Sequence, residues 1–138
     1  MGKYYGKKVL EEFLNPRNVG EIPEADLIVT IEDPVCLEES PPSPCLLKLY
    51  LKFEGDRIGD AKFKLQGCVA AIAFLSKLTE RLKGLLIEEA LSLDREGILA
   101  ELSHGIPENK LGCPIINLDI LKRELSQFLS KGGESLSK

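Results

Sequence analysis

The chain has no tryptophan, one histidine and no long apolar run. Its apolar stretches are short and bordered by Lys and Glu, far below the roughly 20 residues that a helix needs to span a bilayer. There is no basic excess either: Lys and Arg total 18 against 22 Asp and Glu, a net charge of −4 with the two signs interleaved. No broad basic face is on offer to a nucleic acid. The first residues, Met1-Gly2-Lys3-Tyr4-Tyr5-Gly6, lack the apolar core of a signal peptide, and Gly6 stands where a myristoylation motif has Ser or Thr. These absences exclude membrane and nucleic-acid partners and point to the cytoplasm. No C-x-x-C pair occurs, so the spacing signal of a zinc knuckle is missing, and there are no internal repeats. What remains is 138 residues that are 43% hydrophobic, enough for one domain with a real core.

The periodicity orders that domain. Lys7 to Leu14 reads as an amphipathic helix with Val9, Leu10, Phe13 and Leu14 as its apolar stripe, ended by Asn15-Pro16. Arg17 to Gly20 is a turn. Asp26 to Glu32 is β-branched and bounded by turn residues, hence a strand. Asp33 to Pro44, with Pro34, Pro41, Pro42 and Pro44, is expected to be a long loop, because repeated proline opposes regular bonding. Leu46 to Glu54 alternates, with Leu47, Leu49, Leu51 and Phe53 on one face and Lys48, Tyr50, Lys52 and Glu54 on the other. Gly55-Asp56 then closes a hairpin into a strand from Ile58 to Leu65. The rest is helical: about Cys68 to Lys83, Leu86 to Leu91, a helix capped by Asp94 and ending near Leu102, and a last one from Pro114 to about Lys131. Strands first and helices afterwards predict an α+β domain over residues 1–131, a three-stranded antiparallel sheet with helices on one face, and a flexible tail over 132–138. The other sheet face, with Lys48, Lys52, Lys62 and Lys64, is expected to be solvated.

The chemistry rests on four cysteines, Cys36, Cys45, Cys68 and Cys113. In a cytoplasmic chain these are metal-binding, catalytic or buried rather than disulfide-bonded, and spacing alone does not choose between small buried hydrophobes and ligands. Their placement is more informative. Gly67-Cys68 falls where strand periodicity changes to helical. Gly112-Cys113-Pro114 puts Cys113 at the N-cap of the last helix, because proline favours the first helical position. A helix N-terminus stabilises a thiolate. Cys36 and Cys45 flank the proline-rich loop, and an antiparallel order carries Cys68 to that same end of the sheet. Thiolates gathered there suit a thiophilic metal or an iron–sulfur cluster.

At this point the motifs resemble a family. Asn15-Pro16-Arg17-Asn18-Val19-Gly20, Asp33-Pro34-Val35-Cys36, Lys48-Leu49-Tyr50-Leu51-Lys52, Gly67-Cys68-Val69-Ala70-Ala71-Ile72-Ala73 and Lys110-Leu111-Gly112-Cys113 occur in the order seen in IscU/NifU-type iron–sulfur cluster scaffold proteins. The likeness runs from about Tyr4 to Lys131. It implies a three-stranded α+β fold and a site for a 2Fe–2S cluster or iron. It also implies sulfur received from a cysteine desulfurase and a cluster passed to acceptor apo-proteins. The family's three cysteine ligands fall on Cys36, Cys68 and Cys113, and its aspartate on Glu38. Three departures mark this chain. The family's histidine before the last cysteine is Gly112. The loop after Cys36 is longer and brings Cys45, open as a replacement for the histidine, as the true first-loop ligand with Cys36 displaced, or as a plain strand-start cysteine. The chaperone-docking segment corresponds to Ile106-Pro107-Glu108-Asn109-Lys110 and keeps only Pro107 and Lys110, which counts against an Hsp70-type chaperone.

Other residues weigh less. His104 reads as an exposed residue at a helix C-terminus, Glu39 as a loop charge, and Lys110 as a cation near Cys113. A zinc-held thiol accepting persulfide, a sulfurtransferase of the SufU kind, is the catalytic alternative to a non-enzymatic scaffold. A paralogue with a decayed site is a third. The oligomeric state, homo-oligomers included, stays open.

Overall fold

The computed structural model describes residues 5–36, 43–67, 69–107 and 115–136, and side chains throughout these except 33–36, 43–44 and 131–136. The elements run α1 (Lys7–Leu14), β1 (Leu27–Cys36), β2 (Ser43–Glu54), β3 (Arg57–Gln66), α2 (Val69–Leu82), α3 (Ile87–Ala90), α4 (Arg95–Glu101) and α5 (Asp119–Leu136). The strands form one antiparallel sheet in the order β1-β2-β3.

Alternation decides which face is covered. Leu47, Leu49 and Leu51 of β2 are buried together with Val29 and Ile31 of β1 and Ala61 and Phe63 of β3. Helix α2 lies against them, with Ala70, Ala71, Ala73, Phe74, Leu75, Leu78 and Leu82 all buried. Ile115, Leu118, Leu121 and Leu125 join the same core, and Phe128 of α5 packs on Phe53 of β2 with ring centroids 4.5 Å apart. The expected α+β architecture with its helices over one sheet face is therefore present. Asp94 caps α4 as expected, its carboxylate accepting from the Gly97 N–H at 2.8 Å.

Four features differ from the sequence reading. The proline-rich stretch is shorter as a loop: β1 continues through Asp33-Pro34-Val35-Cys36 and β2 starts at Ser43. Pro34 is tolerated because β1 is an edge strand and a bulge falls between Asp33 and Cys36. Pro44 precedes the first β2–β3 pair, Leu46↔Gln66, so it withholds no hydrogen bond from β3. Helix α5 starts at Asp119 rather than Pro114. The Asn117 side chain accepts from the Asp119 N–H at 2.7 Å and the Leu118 carbonyl accepts the first helical bond from Lys122. That helix then runs on to Leu136, across the residues assigned to a tail. Finally, the apolar stripe of α1 is only partly used. Val9 is fully buried, but Leu10 and Leu14 are 41% and 71% exposed.

Helix α1 instead docks through polar groups. The buried Ser76 hydroxyl of α2 donates to Glu12 at 2.6 Å and accepts from the Arg17 N–H at 2.9 Å. Arg17 reaches Glu80, and the Asn18 amide donates to Thr79 Oγ1 at 3.1 Å. At the other end of α1, Gly6 and Gly105 meet back to back, the Gly6 N–H donating to the Gly105 carbonyl at 2.8 Å. A Cβ on Gly6 would lie 2.8 Å from the Gly105 Cα, so neither position has room for a side chain.

Candidate metal centre

The cysteine end of the sheet is built by register. Asp33 pairs with Cys45, and the bulge then lets Cys36, the last residue of β1, pair with Ser43. On the other side of β2, Leu46 pairs with Gln66, the last residue of β3, and Gly67 follows. Three chain segments therefore finish at one end, carrying Cys36, Cys45 and the Gly67-Cys68 junction. Cys45 belongs to the inward set with Leu47, Leu49 and Leu51 and is 1% exposed. Its Sγ lies 3.6 Å from where a Cβ on Gly67 would sit. The thiol is thus sheltered from water and held against the backbone at the turn from strand to helix.

Cys68, Cys113, Glu38, Glu39, Lys110 and Gly112 lie outside the described residues. The neighbours of Cys68 are informative: β3 ends at Gln66 and α2 begins at Val69, so the change of period at Gly67-Cys68 corresponds to a real strand-to-helix junction. The last helix, α5, begins at Asp119, and the N-cap role expected of Cys113 falls on a residue outside those described. His104 is exposed in the turn that ends α4, at φ +52°, with Ser103 before it at φ +54°. Among the described residues, no group of three or more His, Cys, Asp and Glu side chains is placed to hold a metal ion.

Sequence reasoning missed the work of two stretches. Asn15 to Gly20 is more than a turn. Beyond pinning α1 to α2, it runs along the outer edge of β3, where Phe63 donates to the Asn18 carbonyl at 2.9 Å and accepts from the Gly20 N–H at 2.8 Å. Asn18 takes the left-handed φ of +63° that lets the chain turn there. The second is the outer sheet face. Lys48 and Lys64 are exposed as expected, but Tyr50, next to Lys48 on the same face of β2, is only 8% exposed and helps line a groove of about 320 Å3. Counting register back from the Gly55-Asp56 turn would not have revealed it, since a bulge between Lys52 and Phe53 shifts the count by one and only beyond it does Lys48 fall opposite Lys64. At the rim, Glu21 and Lys64 pair at 2.8 Å. The hydrogen bond to Lys64 holds the Glu21 carboxyl below its usual range, and the same bond raises the Lys64 ammonium above its own.

An antiparallel three-stranded sheet, helices over one face and cysteines at one sheet end define a class of small α+β domain. The family model for the NifU-like N terminal domain matches residues 4–135. The iron-sulfur cluster assembly scaffold protein IscU 1 of Archaeoglobus fulgidus is 41% identical over 130 residues, covering 94% of this chain and 80% of that protein. The scaffold protein IscU of Aquifex aeolicus is 38% identical over 129 residues, covering 94% and 78%. In fold, a crystal structure of a NifU-like N-terminal protein from Brucella abortus superposes with a TM-score of 0.72 at 18% identity, covering 94% of this chain and 96% of that one. The chain belongs to the NifU-like N-terminal domain family, the one its motifs resemble. Among the described residues, no helix is long and apolar enough to cross a membrane.

Proposed function

We propose that this protein is a scaffold on which an iron–sulfur cluster is assembled and from which it is handed to acceptor proteins. The iron and sulfide are cargo rather than a resident cofactor. The observation that carries the reading, beside family membership, is the sheltered Cys45 thiol against Gly67, at the sheet end where β1 finishes in Cys36. A 2Fe–2S cluster takes four thiolate ligands where no histidine replaces one. Cys36, Cys68 and Cys113 supply three, and Cys45 takes the place left by Gly112. Glu38 is the oxygen donor nearest in sequence to Cys36 and a ligand for iron before sulfide arrives.

Each thiol must lose its proton to bind, so loading releases protons and strengthens as pH rises. The buried flank of Cys45 gives the cluster a dry wall, and the neighbouring core excludes water from that side. Sulfur comes from a cysteine desulfurase, and the recipients are apo-proteins whose own cysteines displace the scaffold's by ligand exchange. The setting is cytoplasmic.

The test is anaerobic reconstitution with ferrous iron, sulfide and thiol, followed by mixing with an apo-ferredoxin. Visible charge-transfer absorption should form on this chain and move to the ferredoxin. Cys68→Ala and Cys113→Ala should stay colourless. A colourless wild-type protein, or stoichiometric zinc with persulfide transfer instead, would overturn the reading.

A further inference from the structure

The outer face of the sheet carries an arrangement that folding alone does not favour. Lys48 and Lys64 are Cα partners across β2 and β3, and Lys62 is the partner of Tyr50 two pairs further on, on the same face. Like charges directly opposite on one sheet face repel. Glu21 bonds Lys64, while Lys48 makes no salt bridge among the described residues. This positive cluster sits in a chain whose net charge is −4.

The lysines also surround a shaped surface. Tyr50, Leu46 and Gln66 line the groove together with Lys48, Lys64 and Glu21. Ile28, the β1 partner of Tyr50, adds an apolar side chain that is 48% exposed. At about 320 Å3 the groove takes a few side chains of a short segment rather than a folded domain. Its lining nearest the cysteine end is the Leu46↔Gln66 pair, the sequence neighbours of Cys45 and Gly67.

We propose that this groove docks an acidic, extended segment of a partner protein, with carboxylates on Lys48 and Lys64 and an apolar side chain on Tyr50 and Leu46. Charge complementarity selects the segment, and the aromatic ring gives it a desolvated anchor. A partner held there has its tethered body beside the cysteine end. The docking needs only the sheet face; its use in delivering or collecting cargo rests on the function proposed above.

The probe is the blocked hexapeptide Asp-Glu-Leu-Asp-Glu-Leu, titrated into the full chain labelled with nitrogen-15. Amide shifts should centre on Lys48, Tyr50, Lys64 and Gln66 and shrink as salt rises. The Lys48→Gln/Lys64→Gln double variant should bind about tenfold more weakly, the loss of two exposed charge contacts. Lys7→Gln/Lys8→Gln, the same charge change on α1, should bind like wild type. Shifts elsewhere, equal binding by the groove variant, or the same shifts from inorganic phosphate at equal concentration would each overturn docking; the last would mark a small-anion site. Circular dichroism checks that the variants fold. Iron content after reconstitution is read separately: peptide binding with no cluster would sink the scaffold reading and leave docking standing.

Discussion

The two ends of the sheet are built to opposite ends. At the hairpin end the chain is stitched down by backbone bonds. Ile58 donates to the Leu85 carbonyl and accepts from Gly84, Ile87 donates to Asp56, and the Arg57 guanidinium bonds the Gly84 carbonyl, all between 2.8 and 2.9 Å. Ile58 is fully buried there and Phe53 packs on Phe128 with the rings tilted by 51°. Each end has a bulge, in β1 between Asp33 and Cys36 and in β2 between Lys52 and Phe53, but only the cysteine end adds a glycine after β3 and a thiol in the core beside it. On the function proposed above, one end supplies stability and the other presents chemistry. Substitutions at the hairpin end should therefore move stability, and those at the cysteine end should move metal.

Ile58→Ala should give the largest effect, a loss of about 2–5 kcal/mol in urea unfolding, with the folded fraction still binding iron. Cys45→Ala removes a smaller buried group and should cost about 1 kcal/mol or a little more, yet take most of the bound iron with it. Iron retained in Cys45→Ala would return that residue to plain packing and erase the contrast. Gly67→Ala should leave the unfolding midpoint nearly unchanged. The added methyl meets Leu65 Cδ1 at 3.2 Å and Cys45 Sγ at 3.6 Å, while a stiffer unfolded chain offsets about 0.4–1 kcal/mol. Its iron affinity should fall, because the methyl fills the space beside the thiol that the glycine leaves open.

The smallest effect belongs to Glu21→Gln, between the two ends. Glu21 has a lowered pKa in the folded chain, so its contribution is present above the unfolded value and is lost as pH falls through the folded one. Lys64 is raised, so its contribution is lost only as pH rises through its folded value. Both groups are exposed, and the variant should differ from wild type only at low ionic strength between those limits. A difference that survives high salt, seen in thermal melts, would contradict this.

Much of the fold could be read from the residues because the inward set of each strand is apolar at every second position and α2 is apolar nearly all round. Helix α1 and the Gly55-Asp56 turn fall where the pattern put them for the same reason. Proline misled twice, because its effect depends on context. Pro34 and Pro44 sit where an edge and a bulge spare the missing N–H, and Pro114 lost the start of α5 to an Asn117 turn. The outward Leu10 and Leu14 and the sunken Tyr50 were beyond a periodicity argument. Burial of one residue in a pair of equals is decided by neighbours from other elements, here Glu12 on Ser76 and the lysines around Tyr50. For the site, the sheet end and its strand-to-helix junction were legible. The approach of Cys45 to Gly67 depends on register and was not.

Elemental analysis of anaerobically purified protein, with each cysteine replaced by alanine in turn, tests the central claim most directly. The account predicts iron and acid-labile sulfide in equal amounts in the wild type, and their loss from Cys36→Ala, Cys45→Ala, Cys68→Ala and Cys113→Ala, with circular dichroism unchanged. Zinc in place of iron, or iron indifferent to all four substitutions, would contradict it.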